Sequence, residues 1–355
     1  MDAVNIVAIR RQHLVMAYTV GGAFNAFRTG IVDLDADVTK TGRASRDYLV
    51  DQIKAIAKSN TSFPRLGGDY RPYGSFARRT KIRPLDDIDL LLVLSGRGTT
   101  EASASALNTY RLKITDSTAP LAAYPEATGS FFDTATYVNS TRVLNAIKSG
   151  LTAVPNYRKA AIKRTGVAVT LDLSSRTWAF DIVPSVEVAD STGATKHYLI
   201  PNGKGQWMRT YPRIDTTNVT TANTRHANKL LPTLRLLKYW NGRTMKPRLP
   251  SYYFETLVLK TFASGSAITD YSAAVKHFFD NAQTYLWLSC PDPKGLGPAL
   301  DTSVDYTTKM KVGEAMKQAA KWAGYALMYD GQSNSKDAIY WWGKVFGSAF
   351  PAYGA

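Results

Sequence analysis

Apolar residues recur at helical spacing through the first sixty positions of the chain. The clearest case is "ASRDYLVDQIKAIAKS", where Tyr48, Leu49, Ile53 and Ile56 share one side of a predicted helix. From about 66 to 200 the pattern changes to strands. The segment from Ile88 to Leu94 in "DIDLLLVL" is almost wholly apolar, as in a strand covered on both faces. "VAVTLDL" and "TWAFDIVPSVEV" follow across a Ser-Ser-Arg turn, then "KHYLI", while a helical stretch is predicted around 138 to 163. From about 220 onward the helical pattern returns in "HANKLLPTLRLLKYWN", "YFETLVLKTFA" and "SAAVKHFFDNAQTYLWL". The pattern predicts an α+β fold, with a mixed β-sheet in one lobe and a helical bundle in the other. The Pro/Gly segment "IPNGKGQW" is read as the boundary, dividing the chain into 1–200 and 201–355.

Composition narrows the setting. Nothing in the 355 residues approaches the roughly 18 apolar positions of a membrane span, so no membrane partner is expected. The N-terminal run "MDAVNIVAIRRQHLVMAYTV" is broken by two arginines and His13, a poor leader peptide. The single cysteine, Cys290, rules out an intrachain disulfide and a cysteine-rich zinc site, and a cytoplasmic setting is expected. A net charge of +16 favours polyanionic partners. It is concentrated: positions 201 to 260 carry eleven Lys or Arg against Asp215 and Glu255. His13, His197, His226 and His277 are far apart without ligand spacing and read as structural or surface residues.

Acids do not usually enter a buried strand without a cation to hold. On a strand Asp87 and Asp89 share a face, with Cα atoms roughly 6.6 Å apart. Such a pair can bracket a hard divalent cation such as Mg²⁺. Asp181, set between Phe180 and Ile182, offers a third carboxylate, with Asp172 its rival beside a turn and Asp86 outside the set. Three carboxylates can hold two ions about 4 Å apart, the arrangement used for in-line phosphoryl and nucleotidyl displacement. Upstream, Gly74 permits close approach of backbone N–H groups to a phosphate and Ser75 adds a donor. The basic run Arg78, Arg79, Lys81 and Arg83 reads equally as a phosphate attractor or as counter-charge to the aspartates.

Together "YGSFARRTKIRPLDDIDLLLVL" and "WAFDIVPSVEV" resemble the polymerase β-type nucleotidyltransferase superfamily, whose signature is Gly-Ser, a spacer and an acid pair on a strand. "IPNGKGQWMRTYPR", "LPTLRLLKYWNGR", "LPSYYFETLV", "CPDPKGLG" and "WWGKVFGSAFP" continue in the order of one branch, the bacterial cGAS/DncV-like nucleotidyltransferases (CD-NTases), from about 70 to 351. Arg79 departs from the glycine that related proteins often carry there.

The resemblance implies a polymerase β-like lobe packed on a C-terminal OAS/cGAS-like helical lobe, with the active site between them. It implies that Asp87, Asp89 and Asp181 bind two Mg²⁺ or Mn²⁺ ions, and that Gly74 and Ser75 hold the β- and γ-phosphates of an NTP. Lys238 and Ser251 match positions that contact the triphosphate, and Tyr252 one whose ring stacks on a nucleobase, with Tyr253 a competing choice. The implied activity is condensation of NTPs to a cyclic di- or trinucleotide in CBASS anti-phage defence, read by a downstream effector. RNA or another nucleic acid on the basic surface is a candidate activator. Transfer to an RNA 3′ end or formation of linear oligonucleotides, and an inert nucleic-acid sensor on the same fold, are the alternatives.

Overall fold

The computed structural model describes residues 17–104, 108–126, 135–244 and 247–354. The N-terminal stretch with His13, and Lys246 of the basic run, lie outside the described residues.

The chain opens with α1 (Val20–Phe27), capped by the Thr19 side chain, and α2 (Ala36–Ser59), capped by Asp35. α2 is the helix predicted around Leu49 and Ile53; both are buried, while Tyr48 stays exposed. Then come β1 (Arg71–Pro72), the short helix α3 (Gly74–Ala77), β2 (Asp87–Leu94), β3 (Thr99–Ser103), β4 (Tyr110–Ile114) and α4 (Ser140–Thr152). The helix predicted to run to 163 stops at Thr152, because Pro155 enters a 3-10 turn and cannot continue an α-helix. Residues beyond it form β5 (Ala161–Thr165). β6 (Ala168–Asp172), β7 (Ala179–Ala189) and β8 (Thr195–Pro201) match the strands read from the sequence, and β9 (Trp207–Thr210) follows.

The strand path is β1-β2-β7-β8-β9-β4-β3, with β6 alongside the first half of β7 and β5 paired to β6. β2 and β7 run parallel and the other pairs antiparallel, a mixed sheet. The segment "IPNGKGQW" is the turn of the β8–β9 hairpin: Asn202 N–H donates to the Gln206 carbonyl, and Gly203 and Gly205 take positive φ. The sheet therefore runs on to Thr210 before the chain turns helical.

α5 (Pro212–Arg225), α6 (Leu230–Tyr239), α7 (Ser251–Thr261), α8 (Tyr271–Trp287), α9 (Tyr306–Gly331) and α10 (Ser335–Phe346) complete the fold. Buried apolar side chains sort into two main cores. One joins the sheet to α2 and α4 through Leu49, Ile88, Leu90, Leu144, Phe180 and Trp207. The other is helical, and it includes α1: Phe24 and Phe27 pack edge-on or tilted against Trp342, Phe346 and Phe350. The first helix, which the sequence division grouped with the sheet, thus belongs by packing to the helical core. No helix among the described residues is long and apolar enough to cross a membrane.

Candidate active site

Strand alternation turns Ile88 and Leu90 into the sheet core and leaves Asp87 and Asp89 on the opposite face. The parallel register of β2 and β7 sets Asp89 directly beside Asp181. Asp172 pairs instead with Ala179, exposed at the end of β6. Asp89 is held above the ordinary carboxylate range, first by burial and then by the charge of Asp181, against the pull of Lys81 and Arg78. The Thr170 hydroxyl, one strand further, lies 2.6 Å from Asp181 Oδ1.

Gly74 packs against this pair. Its φ is +69°, and a Cβ there would lie 1.7 Å from Asp89 Oδ2. No other residue type fits that approach. Arg79, where related chains often carry glycine, takes φ +62°, the left-handed conformation that glycine adopts without strain.

The four-residue basic run is mostly spent on the protein. Lys81 Nζ contacts the carboxylates of Asp86 and Asp87. Arg78 pairs with Glu255 at 2.8 Å, and Arg83 donates to the carbonyls of Thr29 and Gly30. Beside this run a cavity of about 350 Å³ is lined by Ser75, Lys81 and Asp86 on one side and by Lys238, Arg248 and Ser251 on the other. Asp87, Asp89 and Asp181 are not in its wall; Lys81 and the Gly74-Ser75 step connect them to it.

Lys238 is buried, with Nζ 3.4 Å from Glu255 Oε2. Burial, then Arg78 and Lys81, pull its pKa down against the carboxylate. Glu255 is 2% exposed and also accepts from Thr80 at 2.9 Å. Burial alone would raise its carboxyl; Arg78 and Lys238 overcome that and hold it below the usual range. Tyr252 sits away from the cavity. Its hydroxyl donates to Asp215 Oδ1 at 2.7 Å and accepts from Lys294 at 2.6 Å, and the Lys294 ammonium lies 4.0 Å from the ring centre. Tyr253 is core. Sequence reasoning missed the roles of Glu255, Thr170 and Lys294. Glu255 carried the same signal as Asp181, an acid inside the apolar run "YYFETLVL".

Among the described residues no three His, Cys, Asp or Glu side chains converge as a ready metal cluster. The donor chemistry nevertheless fits a hard divalent cation. All the acids are oxygen donors, Asp89 and Asp181 oppose each other, and Asp87, which Lys81 contacts, is still partly open to solvent.

An acid pair on a strand, a third acid on the parallel neighbour and a Gly-Ser turn against them define a polymerase β-type nucleotidyltransferase. No family model matches the chain. A probable cyclic nucleotide synthase of Bacillus cereus (strain VD146) is 36% identical over 340 residues, 95% of this chain and 99% of that protein. Among solved structures, Escherichia coli MS115-1 CdnC with ATP superposes with a TM-score of 0.66 at 16% identity, over 93% of this chain and 98% of the other. Vibrio cholerae DncV cyclic AMP-GMP synthase, holding the linear intermediate 5′ pppA(3′,5′)pG, gives 0.63 at 11% identity, over 95% and 97%. The chain belongs to the CD-NTases, the cGAS/DncV-like family of cyclic nucleotide synthases.

Proposed function

We propose that this enzyme condenses nucleoside triphosphates into a cyclic di- or trinucleotide, with Asp87, Asp89 and Asp181 holding two Mg²⁺ or Mn²⁺ ions. The observation that carries the reading is the β2–β7 register, which puts Asp89 beside Asp181 and against Gly74. Bound ions would neutralise the facing carboxylates and the triphosphate and lower the pKa of the attacking hydroxyl.

The chain's own groups do the rest. Gly74 and Ser75 take the β- and γ-phosphates, and Lys238 and Ser251 meet the same triphosphate from the helical side of the cavity. Asp181, oriented by Thr170, faces the ribose hydroxyl that attacks the α-phosphorus as pyrophosphate leaves. Positioning and charge neutralisation are the protein's main contributions to such a step. Tyr252, whose ring carries the Lys294 ammonium 4.0 Å from its centre, is the residue assigned to stack a base. A second round in the same cleft closes the ring. Kinship with a probable cyclic nucleotide synthase supports a cyclic nucleotide product; the finer reading is a soluble messenger that acts on a separate effector, in CBASS anti-phage defence in the cytoplasm.

The test is incubation of purified protein with all four labelled NTPs and Mg²⁺, then phosphatase and chromatography, beside an Asp87→Ala/Asp89→Ala control. A phosphatase-resistant product absent from the control is expected. A product formed only on an added RNA primer would move the assignment to RNA 3′-end transfer. No product under either condition would leave the inert-sensor reading.

A further inference from the structure

The excess of positive charge expected at 201–260 is largely spent inside the molecule. Arg209, Arg235 and Lys238 form ion pairs with Glu101, Asp33 and Glu255, and Arg225, Lys229, Arg243 and Lys260 donate to backbone carbonyls. A denser group of unpaired cations lies elsewhere. Residues 158–176, the β5–β6 hairpin and its flanks, carry Arg158, Lys159, Lys163, Arg164 and Arg176 against Asp172. All five cations are exposed, and none forms an ion pair among the described residues. β5 pairs only with β6 among the described strands, so its outer edge offers backbone N–H groups alongside these cations.

This edge is in register with the active site. Lys163 pairs with Thr170, Thr170 with Asp181 and Asp181 with Asp89, one row across four strands. The Thr170 hydroxyl lies 2.6 Å from Asp181 Oδ1 and 3.1 Å from the Thr165 hydroxyl at the end of β5. An ionised carboxylate only accepts, so the single Thr170 proton goes to Asp181 and Thr165 supplies the other bond. A hydroxyl relay therefore runs from the exposed basic edge to a proposed catalytic carboxylate.

We infer that the β5–β6 hairpin is a docking surface for the phosphodiester backbone of a nucleic acid, and that its occupancy is transmitted to Asp181 through Thr165 and Thr170. Lys163 and Arg164 lie on opposite faces of β5, Arg158 and Lys159 just precede it and Arg176 follows β6, a spread over a strand about 16 Å long and its flanks that is more than one triphosphate can span. A chain of phosphates running along the edge meets the four that precede or lie on β5. The transmission half rests on the role proposed for Asp181; the docking half does not.

The test is fluorescence anisotropy of the full chain with labelled 20-residue single-stranded RNA, duplex RNA and duplex DNA across a salt series, next to Arg158→Ala/Lys159→Ala/Lys163→Ala/Arg164→Ala. For single-stranded RNA the logarithm of affinity should fall with the logarithm of salt with a slope of about −3 for four contacts, and the variant should bind at least about tenfold more weakly with a flatter slope. Far-UV circular dichroism and the melting temperature report whether the variant is folded. Thr165→Val should keep the binding and lose any oligonucleotide-dependent change in turnover. Unchanged binding by the folded quadruple variant would overturn the docking surface. Equal competition by polyglutamate at matched charge would overturn it in favour of an acidic protein partner. Lack of any NTP condensation by the wild type, with binding intact, would count against the proposed activity and the relay alone.

Discussion

At Gly74 two constraints coincide, a positive φ and the Asp89 carboxylate resting where a Cβ would be. The first costs an L-residue on the order of 1–2 kcal/mol. The second costs geometry: the carboxylate must leave its place beside Asp181. Gly74→Ala is therefore expected to fold with a modest loss of stability and to lose about 100-fold or more in turnover, the usual scale for a misplacement near 1 Å. Urea unfolding and NTP turnover on the same preparation check it; turnover within threefold of wild type would mean that Asp89 relocates without consequence. Arg79 is the contrasting residue. Its departure from glycine was visible in the sequence, but its left-handed conformation was not, because a basic residue gives no local sign of positive φ.

At the level of elements, β2 and β7 were legible because burial on both faces leaves a continuous apolar run and makes an intruding acid conspicuous. β5 was not: "AIKRT" is exposed at four of five positions, and an edge strand that only half-buries Ile162 offers no periodicity to read. The same holds for the 202–206 turn, whose glycines signal a break but not whether it separates lobes or hairpin strands. The β2–β7 pairing also has a price in stability. Burial makes Asp89 costly to ionise, and the facing charge of Asp181 adds to that cost. Its folded pKa is raised, so the penalty is absent below the ordinary aspartate value of about 3.9 and complete once pH exceeds the raised one. Asp89→Asn should therefore raise the melting temperature in chelator at neutral pH, by relief on the order of 1 kcal/mol, while abolishing condensation. The gain should vanish as pH falls below about 4. A variant that melts below wild type at pH 7 would show that no such repulsion exists.

Across the whole molecule, one carboxylate ties the segment after the Gly74-Ser75 turn to the helical lobe. Glu255, on α7, binds Arg78 and Thr80 from the segment after α3 and Lys238 from α6. These partners lie up to 177 positions away along the chain, which is why the sequence reading passed over Glu255 although it stands as an acid inside an apolar run. Similarly α1 reads as an ordinary amphipathic helix, yet its aromatic partners Trp342, Phe346 and Phe350 lie at the far end of the chain. Removing one partner of a buried ion pair leaves the others unmatched, so Glu255→Gln should cost about 3–5 kcal/mol in urea unfolding at pH 7. Glu255 has a depressed folded pKa, so its contribution is present above the unfolded glutamate value of about 4.3 and is lost as pH falls through the folded one. The gap between wild type and Glu255→Gln should thus close in acid. Adding Arg78→Met to the Gln variant should recover part of the stability, since it removes one stranded cation. If the single variant is as stable as wild type at pH 7, the two lobes are joined by their apolar contacts, and the Arg78–Glu255–Lys238 cluster serves only to shape the charge of the cavity beside Ser75 and Lys238.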